Sequence, residues 1–315
     1  MTARLTIFAL QDKLTNITHP WYLSLWNYRL RGGKETMYKL PTLEELLEAG
    51  VHFGHQVRRG HPRMKPYIYG AKDGVHIIDL TKSDQFLKEA CEYVYALGKE
   101  GKVLLFVGTK KQAKPIIEEL ARKLQAPYLV ARWMGGFLTN FEEIKKNIKK
   151  LKEFLEQKEK GQLDKYTKKE QLLLDRKMGK LQKDFAGVMD LPGLPDALFV
   201  VDAVSDNIAV REAKRIGIKV VAIADSNCDP TQIDYLIPGN DDAIKSIKIL
   251  VTAIASAYGE GKKSHSAKTM QDKEDAEKKV LKEKEEMLPE ELKVEVAEAE
   301  EMVEKKAVKE AEKVV

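Results

Sequence analysis

The chain predicts an α/β fold: a parallel sheet flanked by helices, with an antiparallel coiled-coil helical hairpin inserted into it. Three observations carry this. Continuous apolar runs, such as Val103–Val107 and Val220–Ala224, alternate with amphipathic helical segments. Strands buried on both faces read as unbroken apolar runs, which is the mark of a parallel sheet between helical layers. Between Ala131 and Asp196 the alternation stops, and two lysine-rich segments with helical periodicity take its place.

In chain order, residues 1–36 show no sustained period, although they hold two of the three tryptophans, Trp21 and Trp26. Met37 opens a cleaner pattern and reads as an alternative start, so 1–36 is either an extension or the product of a misplaced start. Thr42-Leu43-Glu44-Glu45 caps a short helix ending at Gly50. The α/β domain is expected over 37–258. Its strands are expected at Val75–Asp79, Val103–Val107, Pro127–Val130, Ala197–Asp202, Val220–Asp225 and Asp234–Ile237. Its helices follow from Thr81 through Leu97, across Ile116–Leu124 and Ala209–Ile216, and from about Asp242 to Tyr258. The hairpin is placed after the third strand.

Within the insertion, Phe141, Ile144, Ile148, Leu151 and Leu155 recur at steps of three and four, and Leu174, Met178, Leu181 and Phe185 repeat the rhythm. Each segment makes one apolar stripe. Capping boxes are expected at Thr139 with Glu142 and at Thr167 with Glu170, with a polar turn over Lys160–Lys165 between them. Matching stripes and a short link predict two antiparallel helices over 139–187, each roughly 27 Å long at 1.5 Å per residue. The outer faces carry many lysines, so this is a basic arm.

Beyond Tyr258, Gly259–Ser266 reads as a linker, and 259–315 as a charged tail. With almost no aromatic residue, the tail from 272 is expected to be disordered or to form a solitary helix after Pro289. It carries 13 basic and 17 acidic groups, which leaves 41 basic and 32 acidic groups in the first 258 residues. A basic body with an acidic-leaning tail suits a polyanionic partner, although ordinary solubilising charge gives the same balance. Cys91 and Cys228 lie far apart with no CxxC, so neither a disulfide framework nor a zinc ribbon is indicated. No apolar run approaches 18 residues, and Leu5–Leu10 is too short and polar for a secretory signal. The chain reads as cytoplasmic, with no membrane partner.

Asp202, Asp206, Asp225, Asp229, Asp241 and Asp242 fall at or just past strand ends, where an α/β enzyme keeps its site. Such carboxylates serve Mg-dependent phosphotransfer; aspartates also cap helices and make turns at these places. The Gly108-Thr109-Lys110-Lys111 turn follows a strand and could hold a phosphate. It is no Walker A loop, and GxGxxG after a strand and GxSxG are both absent. His52, His55 and His61 match no standard zinc spacing, so no metal and no cofactor is expected. The surrounding Arg58, Arg59, Arg63 and Lys65, interleaved with Tyr67 and Tyr69 in a Gly/Pro-rich loop, have the composition of an RNA-contacting segment. The tyrosines could equally be packing residues.

Five motifs now stand in one order: Gly50-Val51-His52-Phe53-Gly54-His55; Gly108-Thr109-Lys110; Arg132-Trp133-Met134-Gly135-Gly136-Phe137-Leu138-Thr139-Asn140; Gly193-Leu194-Pro195-Asp196-Ala197; and Ile237-Pro238-Gly239-Asn240-Asp241-Asp242-Ala243. In that order and spacing the chain, over about residues 38–260, resembles the family of bacterial small-subunit ribosomal protein number two. The resemblance implies a non-enzymatic structural constituent of the small ribosomal subunit. It also implies small-subunit rRNA and other ribosomal proteins as partners, including ribosomal protein number one, and no small-molecule substrate. It places RNA contact on Arg58, Arg59, Arg63, Lys65, Lys110, Lys111, Arg132, Lys145, Lys146, Lys149 and Lys150, and gives Trp133, Gly135 and Gly136 the task of fixing the arm. The rival reading is a Mg-dependent nucleotide- or phosphate-binding enzyme built on the Asp-lined strand ends.

Overall fold

The structure, a computed structural model, describes residues 38–161 and 167–286. The 1–36 segment, most of the arm's turn and the tail beyond Glu286 lie outside the described residues. The central sheet has five parallel strands: β4 (Leu104–Val107), β5 (Tyr128–Leu129), β6 (Ala197–Val201), β7 (Lys219–Ala224) and β8 (Tyr235–Pro238). Their order is β5-β4-β6-β7-β8. The chain leaves β4 in one direction to make β5 and returns on the other side as β6, so the sheet switches direction between β4 and β6.

Alternate residues of each strand feed two separate cores, as the two-residue repeat of a strand requires. Leu104, Phe106, Phe199, Val221 and Ile237 pack under three helices: α2 (Leu80–Lys99), α3 (Lys114–Lys123) and the long α7 (Ile244–Glu286). Leu105, Val107, Leu198, Val200 and Ala222 face α6 (Asn207–Ile216) and the base of the arm. The arm itself is α4 (Phe141–Glu159) and α5 (Lys168–Phe185). Its expected stripes are its buried side: Ile144, Ile148 and Leu151 on α4, with Met178 and Phe185 on α5. These belong to the same apolar cluster as the sheet, so the arm's base is part of the domain core.

Several expectations need correction. Val75–Ile78 is a strand, β3, but it lies outside the parallel sheet. It pairs antiparallel with β1 (Phe53–Gln56) and β2 (Ile68–Lys72), neither of which was expected, in a separate three-stranded sheet of order β1-β3-β2. The signal was there: Asp73 and Gly74, at φ +52° and +75°, form the two-residue turn that joins β2 to β3. The arm therefore follows the second strand of the parallel sheet. The capping box at Thr42 opens α1 (Leu43–Glu48) as expected, and the one at Thr167 and Glu170 is also formed, each with both reciprocal bonds. The one at Thr139 is not, because the N-cap of α4 is Asn140 and the Thr139 side chain goes elsewhere.

The linker expected at Gly259–Ser266 is helix, since α7 runs through it to Glu286. Its glycines serve close packing instead. A Cβ on Gly98 of α2 would lie 2.7 Å from the Tyr258 carbonyl, and one on Gly261 would collide with the Tyr95 carbonyl. Past the crossing, Lys262 donates to the Leu124 carbonyl at the end of α3 (2.9 Å), satisfying an orphan acceptor there. No helix among the described residues is long and apolar enough to cross a membrane.

Candidate functional site

Three places in the fold hold the residues that the sequence singled out. The first is the crevice at the C-terminal ends of β4 and β6, where the strand order reverses. An open α/β sheet places a ligand in such a crevice. Lys110 fills it here. Its ammonium lies 2.7 Å from Asp241 Oδ1, 2.6 Å from Asp242 Oδ1 and 3.3 Å from Asp202 Oδ2. Burial works against its charge, but the bonds to Asp241 and Asp242 more than offset that and raise its pKa. Asp206 accepts both the Thr109 amide (3.1 Å) and the Thr109 hydroxyl (3.0 Å). Burial pushes the Asp206 carboxyl up to about 6 despite those bonds. Burial, and then repulsion from Asp202, pushes Asp241 up as well.

The remaining strand-end aspartates are also engaged. Asp202, at φ +68°, accepts from Val204 N, Ser205 N and Ser205 Oγ and so closes the turn after β6. Asp225 pairs with His55 Nδ1 at 2.8 Å and accepts the His55 amide. The ring's hydrogen bond to Asp225, opposed by burial, raises the His55 pKa. Asp229 caps Thr231 and pairs with Arg63 at 3.1 Å. The aspartates thus play the turn, cap and ion-pair roles that such positions favour. The Thr109 amide and the Lys110 ammonium, expected to be open to a phosphate or to RNA, are committed to carboxylates of their own chain. A buried carboxylate has to be hydrogen-bonded or paired, and these two donors are the nearest to hand.

Among the described residues, His55, Asp241 and Asp242 form the grouping that could hold a metal ion, with one ligand atom from each lying within 4.8 Å of the others. His52 and His61 take no part in it. The His52 ring packs on Phe53 with centroids 4.0 Å apart, and His61 Nδ1 accepts the Arg63 amide at 3.3 Å. The Lys110 ammonium, against both aspartates, supplies the grouping's positive charge.

The second place is the turn that leads into the arm, and its key residue was not expected. Glu212 of α6 is buried (9 %). One of its oxygens accepts the Gly136 amide (2.7 Å) and the Trp133 indole N–H (3.3 Å). The other accepts the Leu138 amide (3.0 Å), the Thr139 amide (3.3 Å) and the Thr139 hydroxyl (3.3 Å). Burial alone would raise its pKa, but these bonds together bring it below the ordinary value. Trp133 is buried and its ring meets Phe137 at 5.0 Å. Gly136, at φ +88°, needs its missing side chain; Gly135 stands in open space. The sequence did carry a sign of Glu212: it interrupts the apolar face Ala209, Ala213, Ile216, at the three- and four-residue steps where a core residue is due.

The third place is surface. Arg58 and Arg59 sit in a short 3-10 turn after β1, and Arg63 and Lys65 in the next, all exposed. Arg58 Nε donates to Gln56 at 2.8 Å, and Arg63 is tied to Asp229. The two neighbouring tyrosines part company: Tyr67 packs edge-on against Phe86, whereas Tyr69 is 83 % exposed. Lys111, Arg132, Lys145, Lys146, Lys149 and Lys150 are exposed too.

Residues 46–261, more than half of the chain, match the family described as Ribosomal protein S2. Curated relatives carry the name Small ribosomal subunit protein uS2. The relative from a Nitratiruptor species is 52 % identical over 71 % of this chain and 84 % of its own length. That from Coprothermobacter proteolyticus is 52 % identical over 70 % and 82 %, and that from Helicobacter hepaticus 45 % over 80 % and 95 %. These relatives are named as ribosomal proteins, which goes against the enzyme alternative and agrees with a strand-end crevice whose donors and carboxylates already bind one another. The chain belongs to the ribosomal protein S2 family.

Proposed function

We propose that this protein is a non-enzymatic structural constituent of the small ribosomal subunit, in the cytoplasm, where it binds small-subunit rRNA and neighbouring ribosomal proteins. The observation that carries this is its identity of 45–52 % with relatives named as that subunit's protein, over most of their length. The distribution of charge supports it. Exposed cations at Arg58, Arg59, Lys65, Lys111 and Arg132, together with the arm lysines, can each meet an RNA phosphate, and Tyr69 offers a ring face for stacking. Lys110 leaves the RNA-binding set because it is held by three carboxylates, and Arg63 enters it only by exchanging Asp229 for phosphate. Trp133 and Gly136, through Glu212, hold the arm to the domain. The family resemblance further supports a role in holding ribosomal protein number one on the subunit.

The test is co-sedimentation of the purified protein with small subunits stripped of it, across a salt series. Saturable association at moderate salt is expected. Replacing Arg58, Arg59 and Lys65 by glutamine should lower the salt slope by about one unit for each phosphate left without its cation. Tight calorimetric binding of Mg²⁺ and a nucleotide by the free protein, with no association with subunits, would overturn the proposal.

A further inference from the structure

The two helices of the arm have similar numbers of cations but use them differently. On and just after α4, most ammonium groups lie close to carboxylates: Lys146 to Glu143 at 2.6 Å, Lys149 to Glu153 at 3.9 Å, Lys152 to Asp190 at 3.4 Å, Lys158 to Asp175 at 3.1 Å, and Lys160 to Glu156 at 3.6 Å. Lys145 and Lys150 make no ion pair with a described residue and do not share a line on the helix. On α5 two of the three acidic residues are already occupied, and the third, Asp184, makes no ion pair with a described residue. Glu170 closes the capping box with Thr167, and Asp175 is the partner of Lys158. Lys169, Arg176, Lys180 and Lys183 are exposed, and none of them makes an ion pair with a described residue. At 100° per residue these four fall within about 60° of arc, on a line about 21 Å long. That line lies opposite the buried Met178 and Phe185, and so faces away from α4 and the domain.

A row of unpaired cations on one straight helix face suits a polyanion that runs along it. RNA backbone is the occupant whose chemistry fits, because each cation can replace condensed counterions at one phosphate. A cation that is already paired within its own chain gains less from a phosphate, since it must give up a carboxylate first. We propose that the outer face of α5, formed by Lys169, Arg176, Lys180 and Lys183, is the arm's RNA-contacting surface. The α4 lysines already held by carboxylates of their own chain, Lys146 and Lys149 among them, contribute little. This rests on the small-subunit reading above and adds which face of the arm meets RNA.

The test uses the full-length protein and small subunits stripped of it. One variant carries glutamine at Lys169, Arg176, Lys180 and Lys183; a second carries glutamine at Lys146, Lys149, Lys152 and Lys158. Both sets of changes lie on exposed faces, and circular dichroism checks that the helices are kept. The α5 variant should lower the slope of log affinity against log salt by about three to four units, the α4 variant by about one or less. Equal slopes for the two variants, or a larger drop for the α4 variant, would overturn the proposal. A photocrosslinker on Lys180→Cys is the second readout; both natural cysteines are buried, with thiols pushed up to about 12 by burial. Label transfer to rRNA supports the proposal, and transfer to a protein alone overturns it in favour of a protein-docking face. If the unaltered protein does not associate with stripped subunits at any salt, the small-subunit reading itself has failed.

Discussion

The Gly136 amide donates to the Glu212 carboxylate at 2.7 Å, and this bond fixes where the arm leaves the domain. Glu212 belongs to α6, a helix 76 residues further along the chain from that amide. One carboxylate therefore ties the turn before α4 to a helix of the α/β domain that follows the insertion.

Glu212→Ala should cost about 3 kcal/mol in urea denaturation, because it leaves the buried Leu138 amide and Trp133 indole, and the half-buried Gly136 amide, without their acceptor. Glu212→Gln keeps the shape but turns an NH₂ toward donors, and should cost about 2 kcal/mol. The pH dependence is signed. The folded pKa of Glu212 is lowered, so its contribution is present above the unfolded value near 4.5 and is lost as pH falls through the folded pKa. The gap between wild type and Glu212→Gln should therefore shrink in acid. A gap that held constant down to pH 3 would contradict this account.

Lys110→Met removes the cation that Asp202, Asp241 and Asp242 share. At pH 8 the loss should be about 3 kcal/mol, the scale for breaking a buried ion pair by deleting one partner. At pH 5.5 it should be smaller. Asp241 is raised by burial and Asp206 to about 6, so protonation can relieve the repulsion that the lysine had offset. Denaturation at the two pH values decides it, and an equal loss at both would show that the charges are not coupled in this way.

His55 tests the same crevice from the other side. Its folded pKa is raised by Asp225, so its charged form adds stability in full below the unfolded value near 6.5, and that stability is lost as pH rises through the folded pKa. The stability difference between wild type and His55→Gln should be larger at pH 5.5 than at pH 9. Thermal melts of the two proteins across that range measure it; a difference that grew with pH would reverse the assignment.

Two helical glycines should respond in opposite directions to the same change. Gly98→Ala drives a Cβ toward the Tyr258 carbonyl at 2.7 Å and should destabilise by about 2 kcal/mol, as overpacking does. Gly179→Ala on the arm meets nothing within 4 Å and should stabilise by up to about 1 kcal/mol through helix propensity alone. Melting temperatures shifting the same way in both variants would refute the close-crossing role of Gly98.

Local pattern carried the fold a long way. The five parallel strands were legible because they are buried on both faces, and the arm because its stripes repeat at helical spacing. The small antiparallel sheet was missed, although Asp73-Gly74 marks its turn. The strand before it, Ile68–Lys72, is exposed or half-buried throughout, so it carries no apolar run to find. The glycines at 259 and 261 misled because a helix breaker and a close-packing residue look alike in a sequence. Thr139 misled for a related reason: its spacing to Glu142 makes a capping box, but a buried carboxylate elsewhere competes for its hydroxyl and holds it.

By itself the sequence determined the α/β class, the basic arm, and the family's five motifs in register. Each is written in short spacings that neighbours along the chain are enough to define. Only the tertiary structure decided what the charged groups do. Lys110 meets Asp241 across 131 residues, and Trp133 meets Glu212 across 79. A charge buried in the fold must find a partner, and that partner is chosen by proximity in space. The same folding that locks Lys110 away leaves the outer face of α5 with cations that no described carboxylate answers.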